Sequence, residues 1–167
     1  MRTIEINLYK FEELSEEAQA RAIKKYQSRE LYDWWSYIQS NAKECGVIIN
    51  SFDLYRNDIE IDFKGMAHDV AKALIYFWGG DTEIGEHSNL YLEKRNELYD
   101  KYNELSSLED ADYDKEEEDA WDEFHTNVCN YFLGQLRDED EWLASEECAK
   151  DYFDSMDVHF TENGTEY

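Results

Sequence analysis

Residues 109–123 read EDADYDKEEEDAWDE, ten carboxylates in fifteen positions against a single Lys115. Packing so many like charges together opposes folding, because each repels its neighbours. The block leads directly into Trp121, Phe124, Val128, Tyr131, Phe132 and Leu136, which recur at helical spacing. It therefore reads as a helix with one apolar side, a scaffold that holds its carboxylates in fixed positions. A disordered tail has no such scaffold.

The imbalance is local. Of a net charge of −25, residues 1–50 carry −1, residues 51–105 carry −6 and residues 106–167 carry −18, the last with 3 Lys/Arg against 21 Asp/Glu. Such a block repels nucleic acid and anionic membranes and attracts basic surfaces, so no direct nucleic-acid binding is expected. Thirteen Tyr, eight Phe and five Trp supply enough apolar surface for a real core, so the chain is not an acidic tail. Its 167 residues fit one domain, 1–167, with 106–157 a strongly acidic helical region. No apolar run approaches the roughly 18 residues of a membrane span, and no signal-peptide pattern opens the chain. Cys45, Cys129 and Cys148 lack CxxC spacing and read as reduced thiols of a cytoplasmic protein, buried as small hydrophobes.

Periodicity gives the fold class: α+β, a helix-rich single domain with a small antiparallel sheet packed against several helices. Strands are expected near 3–9, where Ile4, Ile6 and Leu8 share a face, and near 47–55, 58–64 and 157–161. Ser15 is placed to cap a helix carrying Ala18, Ala22, Ile23 and Tyr26. A second helical stretch takes in Leu31, Trp34, Trp35, Ile38, Ala42 and Cys45 and stops at Gly46. On it the two tryptophans point about 100° apart, so one is expected deep in the core and the other at a junction. Met66, Val70, Leu74 and Phe77 mark a third helix, ended by Gly79-Gly80. Ser88 is expected to start a helix with Tyr91, Leu98, Tyr102 and Leu105 inside, and Ser145 to cap a last one. Asn163-Gly164 signals a tight turn.

Catalytic and cofactor patterns are missing. His68, His87, His125 and His159 are scattered without HExxH spacing or a close cysteine pair, so no metal or cofactor is expected. Asp110, Asp112 and Asp114 imitate the opening of a calcium loop, but Lys115 stands where Gly is needed and Trp121 where the final Glu belongs. Gly79-Gly80 lacks the Lys-Ser/Thr of a phosphate cradle. Nothing selects a hydrolytic pair among 41 acids, and an enzyme is not expected.

The run LYKFEELSEEAQARAIKKYQSRELYDWW carries a resemblance. Tyr9, Lys10, Phe11, Glu13, Leu14, Ser15, Ala18, Ala22, Ile23, Tyr26, Tyr32, Asp33, Trp34 and Trp35 match a start found in small acidic proteins of phages and prophages, some of them antitoxin-like. The closing VHFTENG is similar to that family's end, whereas SFDLYRNDIEIDF departs from its middle. The resemblance implies a mobile-element origin and carries no site residue with it.

Charge density gives the functional expectation. At about 1.5 Å per residue, the fifteen residues span roughly 22 Å and carry one carboxylate per roughly 2.2 Å, against one per roughly 1.7 Å for duplex DNA. The expected partner-binding residues are Asp112, Asp114, Glu116, Glu117, Glu118, Asp119, Asp122 and Glu123, continued by Asp138, Glu139, Asp140 and Glu141. The leading expectation is an inhibitor of a host defence complex, an anti-CRISPR or anti-restriction protein of the host cytoplasm. It would occupy the basic nucleic-acid groove of a CRISPR effector or restriction complex by DNA mimicry. The alternatives are an antitoxin that neutralises a basic toxin, an acidic phage adaptor, or a structural phage protein whose acidity serves only solubility. The sequence is compatible with a homodimer.

Overall fold

A computed structural model describes the backbone of residues 7–104 and 110–167, and the side chains of residues 7–102 and 113–167. The chain is helix-rich α+β. Among the described residues it holds α1 Glu16–Gln27, α2 Ser36–Glu44, β1 Val47–Asp53, β2 Asp58–Phe63, α3 Ala67–Trp78, α4 Glu83–Glu104, α5 Asp110–Leu143 and α6 Glu146–Ser155. It divides into two compact units, residues 35–137 and a second one made of both chain ends, 1–34 and 138–167.

In the unit of the chain ends, the caps read from sequence are in place. Ser15 Oγ accepts from the Ala18 amide at 3.3 Å and Ser145 Oγ from the Cys148 amide at 3.0 Å. The first turns of α1 and α6 carry Glu16, Glu17, Glu146 and Glu147 against the positive ends of the helix dipoles. The core joins Phe11, Leu14, Ala18, Ala22, Ile23 and Tyr26 to Cys148, Ala149, Phe153, Val158 and Phe160. Phe153 stands edge-on to Phe160 at 5.0 Å and tilted against Phe11 at 5.3 Å. Burial and the contact with Cys148 Sγ at 3.2 Å push the Tyr26 phenol up to about 12. Gly164 closes the last turn with φ +81, its amide on the Thr161 carbonyl at 2.9 Å. A Cβ there would stand 2.2 Å from the Ala18 carbonyl oxygen, so only glycine lets the turn sit on α1.

In the other unit, β1 and β2 pair antiparallel, Val47 opposite Phe63 and Ile49 opposite Ile61. Asn50 is the extra residue of a bulge between Ile49 and Ser51, and its Nδ2 donates to Asp62 at 2.8 Å. The bulge flips the alternation, turning Ser51 outward and Phe52 into edge contact with Trp35 at 5.7 Å. Val70, Ala71 and Leu74 of α3, Ile84, Tyr91 and Leu98 of α4, and Ala120, Phe124, Val128, Phe132, Leu133 and Leu136 of α5 are buried with the strand residues Val47, Ile49 and Ile61. Tyr91 and Phe124 stack at 4.5 Å with their planes 11° apart. Gly85 lets α4 begin directly against the end of α3, since a Cβ there would meet the Gly79 carbonyl oxygen at 1.9 Å.

Three details differ from the sequence reading. Among the described residues, the four expected strands do not share one sheet. Val47–Asp53 and Asp58–Phe63 form a two-stranded sheet, and in the other unit Tyr9 meets Phe160, and Phe160 meets Glu166, as isolated bridges. Lys10 leads straight into a 3-10 turn at Phe11–Glu13, which ends the N-terminal run after one reciprocal pair; expected strand residues 3–6 lie outside the described residues. Trp34 and Trp35 do not sit on a helix, because Asp33 adopts φ 56 and breaks it; α2 starts at Ser36, and both indoles are half-buried. Ser88 is not a cap. It is fully buried inside α4 with its hydroxyl donating to the Ile84 carbonyl at 2.7 Å, while Thr82 Oγ1 caps the start by accepting from Gly85 at 3.2 Å. Leu105, expected inside that helix, lies outside the described residues.

Candidate partner-binding surface

Every carboxylate expected at the surface lies on α5. Within the unit of residues 35–137, α4 and α5 run antiparallel, and the pairing is legible in the contacts. Lys94 Nζ reaches Glu123 at 3.0 Å, Arg95 Nε reaches Glu117 at 3.8 Å, and Lys101 Nζ holds both oxygens of Glu116 at 2.8 and 2.9 Å. The spacing explains the register. Lys94 and Lys101 stand seven residues apart, as do Glu116 and Glu123, so both pairs fall on one edge of an antiparallel seam. Lys101 also lies over the Tyr102 ring at 4.9 Å, and the Tyr102 hydroxyl donates to Glu116 at 3.3 Å. The Lys101 ammonium holds the Glu116 carboxyl below the usual carboxylate range, and Glu116 in turn raises Lys101.

The structure thus separates acids that the sequence places together. Glu116, Glu117 and Glu123 are spoken for by α4. Asp114, Glu118, Asp119 and Asp122 are exposed, with Lys115 the cation among them. At 100° per residue these four span an arc of about 140°, opposite the buried Ala120, Phe124 and Val128. Over the roughly 12 Å from Asp114 to Asp122 they give one carboxylate per roughly 3 Å, the density of one DNA strand (about 3.4 Å) rather than of the duplex. The side chain of Asp112 lies outside the described residues. Asp138, Asp140 and Glu141 are exposed in the unit of the chain ends, where Glu139 is half-buried.

Sequence reasoning missed a cleft of about 430 Å³ flanking this stripe. Met66, Ala67 and His68 at the start of α3, Tyr91 and Arg95 of α4, and Asp114, Glu117, Glu118 and Trp121 of α5 line it. Trp121 stacks on His125 at 4.8 Å with planes 19° apart and meets Phe63 edge-on at 6.3 Å. Its partial exposure, 40%, was hidden in sequence because position 121 falls on the border of the apolar stripe. The seven-residue match of α4 cations to α5 acids was readable and is the signal that would have found the seam. Cys129 faces His125 at 3.7 Å, and burial pushes its thiol up, away from the thiolate a nucleophile needs.

Among the described residues no helix is long and apolar enough to cross a membrane. No family model, curated protein or solved structure matches the chain.

Proposed function

We propose that the protein is a stoichiometric inhibitor that occupies a basic nucleic-acid-binding surface of a host defence complex, a CRISPR effector or a restriction complex. One observation carries this reading: Asp114, Glu118, Asp119 and Asp122 face water from a helix whose opposite face is locked into an aromatic core. Fixed carboxylates at strand-like density offer the target's Lys and Arg what phosphates offer, without ordering a flexible tail. Occupancy, not catalysis, is the mechanism, and the place of action is the host cytoplasm. The resemblance of the N-terminal run to phage and prophage proteins supports a mobile-element origin.

The test is phage plating on cells that carry an active CRISPR or restriction system. Expression of the protein is expected to restore plating, and the purified complex to lose affinity steeply with salt and to exchange with its own nucleic acid. The variant D114K/E118K/D119K/D122K is expected to lose affinity by about a hundredfold, as four contacts of about 0.7 kcal/mol each would give, while keeping its Tm. Equal protection by that variant overturns the reading. Rescue of cells from a small basic toxin, with no effect on any defence system, replaces it with the antitoxin reading.

A further inference from the structure

We infer that the cleft between the start of α3 and the α4–α5 seam receives one arginine side chain of the protein partner. This rests on the reading above for the partner's basic character; the place is argued from the cleft itself. Among the described residues the seam has three cation–carboxylate contacts, and the one bordering the cleft, Arg95 to Glu117 at 3.8 Å, is looser than Lys94 to Glu123 at 3.0 Å or Lys101 to Glu116 at 2.8 Å. Among the described residues, the carboxylates Asp114, Glu117 and Glu118 line the space with the Arg95 guanidinium and the His68 imidazole, so three acids face one guanidinium where a cation can enter. Met66, Ala67, Tyr91 and Trp121 supply the apolar part of the lining. Met66 is 65% exposed beside the cleft, and Trp121 is held by its stack on His125 and its edge contact with Phe63, so it is ordered before any partner arrives.

That combination selects guanidinium over ammonium. A planar guanidinium stacks on an indole and slides along a thioether while donating in its own plane to two carboxylates; an ammonium is a strongly hydrated point charge that gains less from the ring. About 430 Å³ accommodates the head and part of the stem, and an entering arginine competes with Arg95 for Glu117.

The experiment follows the Trp121 indole N–H of the full chain by NMR at low salt during titration with a hexa-arginine peptide and, separately, hexalysine. The W121L variant assigns the resonance. A saturable Trp121 shift with hexa-arginine, about tenfold weaker with hexalysine, is expected. D114N/E117Q/E118Q should remove it, and E93Q/E97Q/D100N, which deletes as many exposed charges from α4, should leave it within about twofold. M66A, a change at an exposed residue that leaves the charges in place, should weaken the arginine shift and keeps the test decisive if the triple variant does not fold. No Trp121 shift, equal weakening by both triple variants, or lysine matching arginine overturns the inference. An arginine-selective cleft on a protein that displaces no nucleic acid from any defence complex upholds the cleft and overturns the inhibitor reading instead.

Discussion

Glu116 and Asp119 stand one turn apart on α5, and their surroundings assign them opposite work. Glu116 lies against α4, bonded to Lys101 and Tyr102, its charge neutralised inside the molecule. Asp119 is exposed to water. The same division runs through the acidic block, with Glu117 and Glu123 on the seam and Asp114, Glu118 and Asp122 outside. A run of like charge is therefore two populations. One bridges α4 and α5, and the other faces water.

The comparison breaks most completely at the ring behind both populations. Phe124 is 2% exposed and stacked on Tyr91, and replacing it with Ala should cost about 3–5 kcal/mol. Thermal unfolding should show a fall in Tm of more than about 10 °C, with seam and stripe lost together. An unchanged Tm would mean that α5 does not depend on this core.

Charge reversal then separates the populations. E116K/E117K/E123K sets three cations against Lys94, Arg95 and Lys101 and should lower Tm by a few degrees, where the outward reversal does not. Adding K94E/R95E/K101E should restore most of the loss, because the swapped pairs recreate the seam with opposite signs. A swap without rescue would show that the contacts contribute nothing to stability.

The smallest effect concerns pH. Because the Glu116 carboxyl sits below its ordinary value in the folded protein, its contribution is present above that ordinary value and is lost as pH falls through the lowered folded one. Tm measured against pH for the protein and for E116Q should differ near neutrality and converge in acid. Parallel curves down to about pH 2 would place the Glu116 effect elsewhere.

Much of the local architecture was readable in the chain. Ser15 and Ser145 cap their helices, Gly46 and Gly79 end theirs at positive φ, and the stripe Phe124, Val128, Phe132, Leu136 is buried as its spacing demands. The acidic helix and its apolar side were legible for the same reason, since each signal lies within a few residues along one helix. Where the reading failed, a single backbone torsion or a neighbouring residue intervened: Asp33 at φ 56 cuts the tryptophan helix, and Thr82 rather than Ser88 caps α4.

The sequence by itself determined which stretches are broadly helical, the starts at Ser15 and Ser145 and the stops at Gly46 and Gly79, and that the last third of the chain carries a large negative charge; the starts of α2 and α4 it did not. Only the tertiary structure decided which of those charges are free. Lys94 meets Glu123 across 29 residues and Lys101 meets Glu116 across 15; the matched seven-residue spacings stand in the sequence, but only the packing of α4 on α5 turns them into contacts. The cleft beside Trp121 has the same origin, because its walls come from three helices whose mutual placement no single segment encodes.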